Sequence, residues 1–423
     1  MQTTNFWTSQ HPRPTDLPAH PLPMQTDVAI VGSGYTGLHA ALALAKSGAQ
    51  ITVLERETIG FGASSRNGGM LTPGLKASLK NIVKKYGMDM ARHFWHWSLD
   101  AIDHVADTVE QEAIDCDFDR RGHLALAYKP SHFEHYKSYV QWLKDDFGYT
   151  GNQLVAPSDL RTEIGSNSYF GGIANDFSAG LQPAKYVFGL AQAVARRGVC
   201  LVENAGVDAI RKEGSHFKLK TAQGEITARE VLLATNGYTT GLVPRARNGI
   251  FSVGSYIIVT EPLPPALQDE LSPKRRMFYD SKNFLNYFRL TPDGRMLFGG
   301  RNNLSTGLDL HESARMLQAR MLEVYPQLKG VPLTHTWTGK LGITFDLMPH
   351  VGRVDGIHYA YGYGGHGVSI ASYLGKEVGE LIAGKRSETP FAKINHPRSF
   401  IANFDRLYLP FVATYYRVLD QIS

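Results

Sequence analysis

Short apolar runs alternate with glycine-rich breaks along the chain, and the first complete unit lies near its start. Asp27-Val-Ala-Ile-Val31 is a continuous apolar run of the kind that forms a strand buried on both faces. Gly32-Ser-Gly-Tyr-Thr-Gly37 follows at once, then a helical stretch over 38–46 ending at Gly48. A second strand is predicted over 50–54 and closes on Glu55, 18 residues beyond Gly37. Far along the chain, an apolar strand at 358–361 leads into Gly362-Tyr-Gly-Gly-His-Gly367 and a helix over 368–382. Between them, apolar runs flank Pro292-Asp-Gly294, a turn signal that predicts a β-hairpin over 287–301. The segment 91–151 reads as helical, with Trp95, Trp97, Leu99 and Ile102 placed for core packing. The polar stretch 1–23 carries Pro12, Pro14, Pro18, Pro21 and Pro23, which predicts an extended arm laid over the body. Near the other end, Phe400, Phe404, Leu407, Tyr408 and Phe411 are expected to dock on the body.

The first glycine cluster has a mechanical reading. Gly32 permits a tight strand-to-helix turn, Gly34 lets backbone approach a pyrophosphate, and Gly37 allows the helix to pack closely on the strand. The pyrophosphate then meets the positive end of the helix dipole, contacted by Ser33, Tyr35 and Thr36. Glu55 accepts hydrogen bonds from ribose hydroxyls and argues against a 2′-phosphate; Arg56 beside it argues the other way. The cluster alone does not separate FAD from NAD. The loop Gly60-Phe-Gly-Ala-Ser-Ser-Arg-Asn-Gly-Gly69 is too rich in glycine and small polar residues for a core element. It can supply backbone N–H groups and hydroxyls to a pyrophosphate and a flavin ring through Ala63, Ser64, Ser65, Arg66, Asn67, Gly68 and Gly69.

Composition narrows the classes. The 423 residues allow two domains, and 43% hydrophobic with 20% charged residues is ordinary for a globular protein. No stretch approaches the roughly 20 apolar residues that cross a bilayer. Cys116 and Cys200 are the only cysteines, so neither a disulfide framework nor a multi-cysteine metal site is expected. With no export signal visible, this predicts a cytoplasmic setting. The +5 charge comes from 44 basic and 39 acidic residues without any basic run, so nucleic acid is not an expected partner.

With both glycine segments in view, the chain resembles the FAD-dependent amine and amino-acid oxidase (DAO) superfamily, which includes glycine, sarcosine and D-amino-acid oxidases. The likeness is strongest to the γ-glutamylputrescine oxidoreductase branch, in its aromatic N-terminal arm and the loop 60–69. It continues through Gln182-Pro-Ala-Lys-Tyr-Val-Phe-Gly-Leu190, Asn204-Ala-Gly-Val207, the segment 230–238, the hairpin 287–301 and Tyr415-Tyr-Arg417. The resemblance implies an α/β (α+β overall) fold: a Rossmann-type FAD-binding domain with an inserted antiparallel-sheet substrate domain. The expected division is an arm over 1–25, a discontinuous FAD domain of 26–90, 152–245 and 338–390, a substrate domain of 91–151 and 246–337, and an extension over 391–423.

The resemblance also implies site residues. Val207 contacts the adenine through its backbone, and Thr235, Asn236 and Gly237 return the chain to the cofactor. Gly362, Gly364, Gly365, His366 and Gly367 lie against the flavin ring, with a helix N-terminus at its pyrimidine edge. No acid-terminated strand follows this second glycine segment, so a second nucleotide is not favoured. His366, Tyr287, Arg289 and Arg301 are the catalytic or substrate-binding candidates, with Tyr256 beside them; an arginine would clamp a carboxylate. His366 reads better as a cofactor contact than as a base, since a neutral amine can deliver hydride to flavin N5 while its lone pair forms the imine.

Two departures from sarcosine oxidase carry consequences. No cysteine occurs over 339–346, where that relative attaches FAD, so non-covalent FAD is expected. Arg295-Met296-Leu297 offers no lysine where that relative uses one for oxygen, so O2 and another electron acceptor both stand. The leading expectation is oxidation of a small γ-glutamylputrescine-like amine. The alternative is an amino-acid (glycine-, proline- or D-amino-acid-like) oxidase or dehydrogenase.

Overall fold

A computed structural model describes residues 1–422, apart from the side chains of Arg406, Arg417, Gln421 and Ile422. The apolar run after Thr26 is the central strand Gln25–Val31, parallel to Ile51–Leu54 on one side and Gly224–Leu233 on the other. Cys200–Val202 and Ile357–Tyr361 extend this sheet in parallel, and His350–Val354 pairs antiparallel at its edge. Its strands lack alternation because both faces are covered: all four residues of Ile51–Leu54 are buried.

The Ala/Leu-rich helix Tyr35–Ala45 runs through the core beside Gly367–Ile382. Glycines set how closely they approach. A Cβ on Gly375 would lie 2.5 Å from the Thr36 carbonyl oxygen, and one on Gly379 would lie 2.7 Å from that of Ala40.

The second sheet has the order Leu333–Ile343, Phe251–Pro262, Arg295–Gly300, Asn286–Leu290, Met277–Asp280, His123–Leu126, Gly172–Asn175, Asn152–Val155. Its pairing is antiparallel except between Met277–Asp280 and His123–Leu126. The hairpin at Pro292-Asp-Gly294 forms as predicted, with Gly294 at φ 78°.

Three boundaries differ from the sequence division. Asn152–Val155 and Gly172–Asn175 belong to the second sheet, and Leu333–Ile343 passes unbroken through residue 338. The helix Met88–Gln111 packs into the core of the first unit: Trp97 donates to Glu377 at 3.2 Å and meets Phe391 edge-on. Strand partners are chosen by pairing between distant segments, which a local pattern does not carry. Its tryptophans are core residues, as expected.

The arm begins with a helical turn, Phe6–Gln10, capped by Asn5, where an extended path was expected; Phe6 and Trp7 are buried. At the other end, Asp405–Ile422 lays Leu409 and Ala413 on Val253, Phe284, Leu304 and Ile343. Asp405 and Asp420 fix it through Arg247 and Asn283. Its opposite face leaves Leu407 and Phe411 exposed, and Phe404 just before it is exposed too.

Candidate active site

One cleft of about 420 Å³ runs between the two sheets. Its walls come from segments that the sequence singles out and from several that it does not.

The first wall is the turn after Gln25–Val31. Gly32 sits at φ 108°, and a Cβ there would lie 2.9 Å from the Ala234 carbonyl oxygen. A Cβ on Gly34 would lie 2.9 Å from Ser64 Oγ, and one on Gly37 2.0 Å from the Gly32 oxygen. Gly34 caps the helix Tyr35–Ala45 without any side chain of its own, so the positive helix end at Gly34, Tyr35 and Thr36 borders the cleft. Glu55 lines the cleft and accepts from Ser33 N at 3.0 Å and Ser33 Oγ at 2.6 Å. Arg56 also lines it but pairs with Asp208 at 3.7 Å, so its charge already has a partner. Val207, Thr235 and Asn236 close this end. Glycine backbone, a helix N-terminus and a strand-end carboxylate fit a dinucleotide, so these residues would hold the ADP half of FAD.

The second wall is the glycine loop. Ala63–Ser65 makes a single tight helical turn, with Ala63, Ser64, Arg66, Asn67 and Gly68 lining the cleft. Asn67 holds the loop together: its Nδ2 donates to Ala63 O and Ser64 O at 3.1 and 3.0 Å, and its Oδ1 accepts from Gly69 N at 2.7 Å.

The third wall is the turn Gly362 to Gly367. Gly362, Gly364 and Gly365 have φ of 90°, 60° and 109°, a run that only glycine adopts without strain. Asn236 Oδ1 accepts from Gly362 N at 3.0 Å and ties this turn to the first sheet. His366 caps the helix Gly367–Ile382 and lines the cleft with Gly364, Gly365 and Gly367. Its Nδ1 is buried without a partner. Burial, with Lys76 and Arg301 nearby, pushes its imidazole down to about 4, so it is neutral at pH 7.

Among the sequence candidates, Arg301 and Tyr287 reach the cleft. Tyr287 shares a hydrogen bond with Ser255 at 3.1 Å, and burial pushes its phenol up to about 12. Arg289 does not reach it. It shares a face of Asn286–Leu290 with Tyr287 but lies two residues further along the strand, where its guanidinium donates to Leu181 O at 2.6 Å and lies over Trp7. Tyr256 is likewise spent on Ser305 O and Leu308 N. Gly37, Ser65, Gly69, Gly237 and Gly362 stand behind the lining and shape it.

Lys76, Tyr279 and Lys340 line the cleft without any sequence signal that marked them. Lys76 packs over the Gly364 turn, and the Arg301 guanidinium, then burial, push its ammonium down to about 7. Among the described residues, the only carboxylates on the lining, Glu55 and Glu57, belong to the first wall. The end bounded by Lys76, Arg301, His366 and Tyr287 therefore carries positive charge and no acid among its described residues. Arg295 turns to Asp293 at 2.7 Å, and neither cysteine lines the cleft.

Comparison with known proteins agrees. Residues 27–381 match the family model described as DAO, FAD dependent oxidoreductase. The γ-glutamylputrescine oxidoreductase of Escherichia coli is 33% identical over 94% of this chain and 93% of its own. The glycine oxidase of Geobacillus kaustophilus is 26% identical over 86% and 94%. Its crystal structure superposes with a TM-score of 0.76 at 21% identity, covering 89% of this chain and all of the other. The chain belongs to the DAO family of FAD-dependent oxidoreductases.

Proposed function

We propose that this enzyme oxidises the C–N bond of a small amine of the γ-glutamylputrescine type. The observation that carries the reading is the charge at the substrate end, where Lys76 and Arg301 stand without a carboxylate. An alkylammonium entering there meets the Arg301 guanidinium and a Lys76 ammonium already pushed down to about 7, and is driven toward its neutral form. Only the neutral amine has the lone pair that must form the C=N bond as the adjacent C–H is lost. Bound FAD supplies the two-electron acceptor for that step. Because the amine sheds its proton on entry, His366 has no need to act as a strong base, which suits an imidazole held neutral.

The imine is then hydrolysed, and water supplies the oxygen of the aldehyde as ammonia leaves. Tyr287 and Ser255 form the hydroxyl pair that would orient the substrate. The identity to the E. coli enzyme supports this substrate class. A second reading, oxidation of an α-amino acid, uses the same cations to hold the α-carboxylate. The two cysteines, both free and one buried, agree with a reducing cytoplasm.

Product analysis separates the readings. A γ-glutamylputrescine turnover mixture is expected to yield an aldehyde and ammonia in equal amounts. If only α-amino acids give keto acid and ammonia, the first reading is overturned. Readmitting air to substrate-reduced enzyme tests the acceptor, and rapid return of the yellow colour is expected of an oxidase.

A further inference from the structure

Three successive carbonyls of the glycine loop are each caught by a side chain outside the cleft. Asn5 Nδ2 donates to Ser65 O at 2.8 Å, Trp337 Nε1 to Arg66 O at 2.9 Å, and Trp7 Nε1 to Asn67 O at 2.9 Å. All three donors are buried, and none lines the cleft. In a planar trans peptide the C=O and the following N–H point in opposite directions. Holding the Arg66 and Asn67 carbonyls outward therefore turns the Asn67 and Gly68 amides inward, on residues that do line the cleft. Neither amide finds a protein acceptor among the described residues.

The donors are themselves anchored. Gln2 exchanges backbone hydrogen bonds with Thr334 and Thr336 at 2.7 and 2.9 Å, which fastens the arm to the edge of the strand that carries Trp337. Gln182 donates to the Trp7 carbonyl at 3.2 Å, and Arg289 packs over its indole. A solvent-laid arm would need none of these contacts.

We propose that Trp337 and Trp7, with Asn5 anchoring the peptide before them, are positioning residues for the cofactor: the two indoles turn the Asn67 and Gly68 amides to face FAD as a pair of fixed donors. This rests on the reading that the flavin ring lies against the loop. Two fixed N–H groups favour electron density on the ring, so they strengthen binding and raise the reduction potential.

The test uses the full chain. Trp7→Phe and Trp337→Phe keep a ring and remove the N–H; Asn5→Ser keeps the helix cap and shortens the donor. FAD affinity of reconstituted apoprotein, flavin reduction potential and apoprotein melting temperature are measured together. Each variant is expected to weaken FAD binding about 5- to 10-fold, and the Trp pair about 50-fold. The potential is expected to fall while the apoprotein melting temperature holds. Affinity within about twofold of the unaltered chain overturns the proposal, as does a loss that merely tracks falling apoprotein stability. If one Trp variant does not fold, the other decides by the same criteria. Failure of the unaltered chain to take up FAD would instead sink the reading on which the proposal rests.

Discussion

A Cβ on Gly37 would lie 2.0 Å from the Gly32 carbonyl oxygen, which is backbone and has nowhere to go. Gly37→Ala is therefore expected to cost about 1–3 kcal/mol and to lower FAD affinity, measured by urea unfolding and reconstitution. The Lys76 ammonium makes a pH prediction. Arg301 and burial lower its folded pKa to about 7, whereas the unfolded chain keeps the ordinary value. Between those two values the unfolded chain binds the extra proton, so stability rises with pH from about 7 upward. Below pH 7 both states are charged and the cost is fully present. Urea unfolding of the apoprotein at pH 6.5 and 9.5 is expected to show the rise, and Lys76→Met to reduce it. His366→Asn is expected to slow flavin reduction by less than about tenfold; a loss of roughly a thousandfold would make it the base.

Among elements, those built on local pattern were legible and those built on pairing were not. The strand–turn–helix over 25–45 and the turn at 362–367 announce themselves through apolar runs beside glycines whose φ and crowding leave no alternative. The tethers do not, because Trp7, Trp337 and Asn67 are brought together only by the fold. Lys76 is invisible for the same reason: nothing near it in sequence marks its approach to Arg301. Arg289 is a fair candidate by residue type and shares a sheet face with Tyr287, and only the fold shows that Leu181 and Trp7 take up its guanidinium. The C-terminal helix was expected to dock, and its two faces now differ measurably. Leu409→Ala, at a 4% exposed position, is expected to cost about 2 kcal/mol, and Phe411→Ala, at 77%, less than about 0.5 kcal/mol, by urea unfolding.

For the whole molecule, two sheets meet along one cleft, and each contributes a different kind of chemistry. The first brings glycine backbone, a helix N-terminus and Glu55; the second brings Tyr287, Ser255 and Arg301. No helix among the described residues is long and apolar enough to cross a membrane. Because Cys116 and Cys200 both lie off the cleft, acid precipitation is expected to leave FAD in the supernatant; yellow protein in the pellet would show a covalent link through another residue. The most direct test of the account is anaerobic mixing of the holoenzyme with γ-glutamylputrescine, followed by flavin absorbance. Complete bleaching is expected, at a rate that rises with pH as the amine loses its proton. A flavin that stays oxidised with this amine, yet bleaches with α-amino acids, would contradict the account.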